Sequence, residues 1–117
     1  MELSEKMKGL MNGVAKKAEE IIKRMQAEGS GTKRMYVFVS AQCPFCEEYL
    51  SNLKTMKLEV QPIIYNAFAT EEGQALSLFV KFDKLPLTLV MGADDKFKGG
   101  YPGVKTEEEL NKILGGI

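Results

Sequence analysis

The sequence has no histidine, no tryptophan and only two cysteines among its 117 residues. Without histidine there is no imidazole general base, no Cys–His or Ser–His pair and no histidine-bound metal. Neither sign of charge is in excess, with 16 basic residues against 16 acidic ones, so no electrostatic case exists for nucleic acid as a partner. Long apolar runs are missing too. Leu85 to Met91 is far shorter than the roughly 20 residues a bilayer span requires, so no membrane association is expected. The opening Met-Glu-Leu-Ser-Glu-Lys-Met-Lys alternates charge and lacks the apolar stretch of a secretory signal, which predicts a cytoplasmic protein.

What is present is an ordinary globular composition, 44% hydrophobic and 27% charged, in a chain long enough for one core without a metal or disulfide staple. The expectation is one domain over 1–117, with a helix and linker in 1–30 and the chemistry in 34–117. Met7, Met11, Val14, Ala18, Ile21 and Met25 recur at spacings of three and four, one face of a helix over residues 3–28. Interior glycines at 9 and 13 weaken its first half, at roughly 1 kcal/mol each relative to alanine. Beyond Gly29-Ser30-Gly31 the pattern predicts a buried strand at 35–40, a helix to about Lys57 and a strand at 58–65. Pro62 assigns that second strand to a sheet edge, because proline cannot donate to a ladder. A helix capped by Thr70 follows, with Leu76, Phe79, Val80 and Phe82 as buried positions. Then come a strand over Leu85–Met91, a turn at Gly92–Asp95, a short strand at 96–98, a loop over Gly99–Gly103 and a last helix capped by Thr106. This order gives an α/β architecture: a four-stranded mixed sheet flanked by helices on both faces, with an extra N-terminal helix. The strand–helix–strand units imply parallel pairing, and the turn at 92–95 one antiparallel hairpin.

Both cysteines fall in Ser40-Ala-Gln-Cys-Pro-Phe-Cys46, where the first strand turns into a helix. Unpaired N–H groups and the positive end of the helix dipole favour a thiolate there. Pro44 suits the first helical turn, where its missing N–H costs nothing. In a reducing compartment such a pair reads as catalytic, redox-sensing or metal-binding rather than as a staple. A structural zinc site is disfavoured, because two cysteines without histidine supply only half a tetrahedral ligand set within one chain. Two further readings stay open: an inert domain whose helix happens to hold two cysteines, and an interaction module without catalysis.

The Cys-x-x-Cys after the first sheet strand, followed forty residues beyond Cys46 by the strand-opening Pro86, resembles the thioredoxin-fold thiol–disulfide oxidoreductases. Cys43-Pro44-Phe45-Cys46 is most similar to the Cys-Pro-aromatic-Cys of glutaredoxins. The resemblance implies that Cys43 is the attacking thiolate, Cys46 the resolving thiol and Pro86 a cis-proline facing them. It also implies that Leu85 offers its backbone to an extended substrate. Pro44, Phe45 and Lys84 join the substrate-binding residues on this reading. So do Gly99 and Gly100, which resemble the glycine pair that holds glutathione. The implied activity is reduction of protein disulfides by a monomer, without metal or organic cofactor. Electrons would come from a reductase or a low-molecular-weight thiol, with glutathione as the co-substrate to consider. The alternative the resemblance carries is a glutaredoxin-like, glutathione-dependent electron donor or cluster carrier. Three positions depart from the pattern: Gln42 stands where thioredoxins have tryptophan, Val37 where they bury an acid six residues before the first cysteine, and Lys84-Leu85-Pro86 where glutaredoxins have Thr-Val-Pro.

Overall fold

A computed structural model of the chain describes residues 16–78 and 84–117. Its elements are a helix over 16–27 (α1), then β1 Arg34–Val39, α2 Pro44–Leu53, β2 Pro62–Asn66, α3 Glu71–Leu76, β3 Leu87–Met91, β4 Phe97–Pro102 and α4 Glu107–Gly115. Of the apolar stripe expected over residues 3–28, Ala18 and Met25 are buried and Ile21 half-buried. Met7, Met11 and Val14 lie outside the described residues, as do Phe79, Val80 and Phe82.

The four strands form one sheet in the order β2-β1-β3-β4. Every residue of β1 and β3 is buried, as the continuous apolar runs require of central strands covered on both faces. Alternation along β1 divides the core. Met35, Val37 and Val39 pack with Cys46, Tyr49 and Leu53 of α2 and with Leu110 and Leu114 of α4. Tyr36 and Phe38 face the other way, onto Leu87, Leu89 and Met91, under Met25 of α1 and Leu76 of α3. Tyr65 of β2 stacks on Phe38 with ring centroids 5.7 Å apart.

Local capping accounts for two helix starts. The Thr70 hydroxyl accepts from the Gly73 N–H at 3.1 Å. Thr106 and Glu109 form a reciprocal capping box, which satisfies two otherwise orphaned donors of α4.

Three expectations are corrected. β2 pairs parallel with β1, but β3 pairs antiparallel with it, so the second strand–helix–strand unit is not a parallel crossover. β3 opens opposite Phe38, at the end of the sheet where β2 finishes opposite Val39, so the two strands run in opposite directions. The second strand begins at Pro62 rather than at 58, and its edge position is as Pro62 requires. The glycine-rich stretch read as a loop is the middle of β4, with Gly100 opposite Leu89 and Gly99 opposite Val90. Side-chain space explains those glycines better than turn geometry. A Cβ at Gly100 would come within 3.0 Å of Leu89 Cδ2, and one at Gly99 within 3.0 Å of Tyr101 Oη.

Arg34 opens β1 with only 4% of its surface exposed. Its guanidinium donates to the carbonyls of Gln26 and Glu28, each at 2.6 Å, and Met25 at 3.3 Å, which the end of α1 leaves free. It also pairs with Asp95 in the β3–β4 turn, whose φ of 64° is left-handed, and Asp95 in turn accepts from the Ser30 hydroxyl. One buried cation therefore ties α1 to the hairpin.

Candidate active site

The dithiol sits where β1 hands over to α2. Cys43 is itself the N-cap of α2, in extended conformation, with Pro44 in the first turn. Its sulfur accepts from the Cys46 N–H at 3.2 Å, the position a serine or aspartate oxygen takes in an ordinary cap. Negative charge on that sulfur would meet a backbone donor and the positive end of the helix dipole together. The Cys43 thiol also donates to the Leu85 carbonyl at 3.4 Å. The Leu85–Pro86 peptide is cis, as the resemblance implied, and the Pro86 carbonyl accepts from Gly103 N–H at 2.8 Å.

The two thiols differ in environment. Cys43 is half-exposed, while Cys46 is 1% exposed and faces the core. Burial, reinforced by the hydrogen bond and charge of Cys43, pushes the Cys46 thiol up to about 11. At neutral pH one sulfur is accessible and the other is held as a protonated, sheltered partner.

Val37 is fully buried, and its cross-strand partner is Thr88. Thr88 and Arg34 are the buried polar residues among those described. The Thr88 hydroxyl is 2.8 Å from that of Tyr49, one turn beyond Cys46 on α2, so a neutral hydroxyl pair joins α2 to β3. Burial pushes the Tyr49 phenol up, which keeps it protonated.

The remaining predicted residues separate into two groups. Pro44, Phe45, Lys84 and Leu85 lie on the segments that carry the dithiol and the cis-proline, and Phe45 is 62% exposed. Gly99 and Gly100 are elsewhere: they line a groove of about 640 Å³ between α1 and β4, together with Ile22, Leu76 and Leu89. That groove's lining includes neither cysteine nor Leu85–Pro86. Phe68, 59% exposed in the loop after β2, was not singled out from the sequence. Among the described residues, no group of three or more acidic, cysteine or histidine side chains is placed to hold a metal ion. No described helix is long and apolar enough to cross a membrane.

No family model matches the chain, and no curated protein is matched by its sequence. Solved structures are matched. A thioredoxin from Fasciola hepatica superposes with a TM-score of 0.62 at 17% identity, covering 80% of this chain and 88% of the other. The exposed lipoprotein thioredoxin Etrx1 from Streptococcus pneumoniae gives 0.61 at 13% identity over 79% and 90% of the two chains. The germline-specific thioredoxin Deadhead from Drosophila melanogaster gives 0.56 at 18% identity over 81% and 89%. With its Cys43-x-x-Cys46 at the strand–helix junction and its cis-Pro86 beside it, this chain has the thioredoxin-like fold.

Proposed function

We propose that the chain is a thiol–disulfide oxidoreductase acting on protein disulfides. The observation that carries this reading is the Cys43 sulfur, half-exposed, accepting from the Cys46 N–H at a helix start and 3.4 Å from the Leu85 carbonyl. Cys43 thiolate attacks one sulfur of the substrate disulfide; a Cys43–substrate bond forms, the substrate S–S bond breaks, and the other substrate sulfur leaves as a thiolate that takes up a proton. Cys46 then loses its proton to solvent and attacks the Cys43 sulfur. The Cys43–Cys46 disulfide forms, the second substrate thiolate leaves, and two electrons have passed to the substrate. Glutathione or a dithiol reductase returns the pair to its reduced form in a cytoplasmic setting, and the exchange requires no other cofactor.

The high proton affinity of Cys46 has a role in this sequence. A protonated resolving thiol does not compete for the substrate; burial is the main cause of its high proton affinity, and forming the mixed disulfide removes the smaller part that Cys43 contributes. The test is substitution of each sulfur in turn. Cys43→Ser should abolish exchange, and Cys46→Ser should accumulate a mixed disulfide, visible as an added mass that dithiothreitol removes. Normal turnover of protein disulfides by the Cys46 variant would overturn the assignment of roles.

A further inference from the structure

Resting on the exchange reading above, we propose that Phe68 is a docking point for an apolar residue flanking the substrate cysteine. The site would then select disulfides set in apolar, extended segments. Position is the first argument. β1 and β2 run parallel with Val39 opposite Asn66, and the Ala67 N–H donates to the Val39 carbonyl at 2.8 Å. The loop to Cys43 and the loop bearing Phe68 thus leave adjacent strands, about 4.8 Å apart, at the same carboxyl end. In open sheets with parallel strands, ligands bind outside that end.

Presentation is the second argument. The Asn66 side-chain oxygen accepts from the Phe68 and Ala69 N–H groups, each at 3.0 Å, and the Gln74 amide donates to the Phe68 carbonyl at 3.2 Å. The Thr70 hydroxyl closes the same turn on the Asn66 carbonyl at 2.7 Å. Behind it Gly73 lets α3 press against the loop, since a Cβ there would sit 2.4 Å from the Ala67 carbonyl oxygen. The backbone under Phe68 is therefore fixed on both sides while the residue stays 59% exposed. A loop backbone ordered in advance has no ordering cost left to meet when a partner covers its side chain.

Chemistry is the third argument. A single exposed aromatic is unremarkable. Here the two most exposed large apolar side chains among the described residues, Phe45 at 62% in the first turn of α2 and Phe68 at 59% in the loop after β2, both stand at the dithiol end. Aromatic anchors of this kind carry a disproportionate share of interface energy. A substrate segment tethered through its cysteine to Cys43 advances about 3.3 Å per residue, so the positions just beside that cysteine are the ones a neighbouring loop reads.

The experiment uses the full chain, regenerated by dithiothreitol, and two disulfide-linked peptides of equal length and charge. One has leucine on each side of its cysteines and the other has serine. The parent protein should prefer the leucine peptide by about 10-fold in kcat/KM, expressed mainly in KM, equivalent to about 1.4 kcal/mol. Phe68→Ala should bring the ratio close to one, Phe68→Leu should retain most of it, and Leu78→Ala, which removes an exposed apolar side chain beside α1, should leave it unchanged. Circular dichroism confirms that each variant is folded. An active parent without preference, or a Phe68→Ala protein that keeps the preference, overturns the docking site and leaves the exchange reading standing. A parent that reduces neither peptide overturns the exchange reading, and the docking site with it.

Discussion

Removal of the Tyr49 hydroxyl is the sharpest probe of how α2 is held against the sheet. Tyr49 and Thr88 are both fully buried and their oxygens are 2.8 Å apart. Tyr49→Phe leaves the shape of the core intact but strands the Thr88 hydroxyl, at a cost of about 1–3 kcal/mol. Thr88→Val strands the phenol instead, with a cost in the same range. The double variant removes both polar groups, leaves nothing unsatisfied and fills the same volume with apolar atoms, so it should cost no more than either single variant. The coupling energy of the cycle should then match the cost of a single variant, about 1–3 kcal/mol, well above what independent sites show. In urea unfolding this appears as midpoints that fall for each single change and fall no further in the double, with unchanged slopes. In thermal unfolding each single variant should lose about 4 °C for every kcal/mol of that cost. Additive losses in the double variant would refute the reasoning, because they would mean that each hydroxyl is satisfied independently of the other.

Cys46 should resist alkylation by iodoacetamide at pH 8 while Cys43 reacts, and in the Cys43→Ser variant, where burial remains but the Cys43 thiol is gone, it should still react more slowly at pH 8 than a free cysteine, as followed by mass spectrometry. The same elevation has a stability sign: the folded state holds that proton more tightly than the unfolded chain, so stability should fall as pH rises from about 8.5 through 11, an effect absent from Cys46→Ala. Arg34→Ala should cost about 1–3 kcal/mol in urea unfolding, because it strips the Met25, Gln26 and Glu28 carbonyls at the end of α1 of their donor. The Asp95 carboxyl is held below its usual range by the Ser30 hydroxyl, the Gly31 N–H and Arg34. Its contribution should therefore be complete above pH 4 and be lost as pH falls further, a dependence that Asp95→Asn should flatten in acid-unfolding curves.

Features governed by neighbours in sequence were the ones legible from sequence. Thr70 and Thr106 cap their helices because a hydroxyl reaches the N–H three residues on, whatever the remainder of the chain does. Pro62 announced an edge strand by the donor it lacks. The dithiol was legible for the same reason, since an N-cap position and a two-residue spacing are local properties. What escaped depends on distant partners. Gly99 and Gly100 suggested a loop because glycine usually marks one, but their cause is the bulk of Leu89 across the ladder and of Tyr101 beside them. Nothing near Arg34 in the sequence marks it as buried, and only the fold brings Asp95, 61 residues away, to meet it. Nothing in α2 reveals that Thr88 of β3 faces the Tyr49 phenol. Phe68 was overlooked because no periodicity marks a loop residue.

The neutral pair behind the dithiol also has an electrochemical consequence. Val37 and Thr88 leave no carboxylate among the described buried residues whose protonation would change when the sulfurs are oxidised. Each two-electron reduction then takes up two protons at the sulfurs alone. Where both thiols are protonated, the midpoint potential should descend in a straight line of about 59 mV per pH unit, without the inflection that a buried acid would print on it.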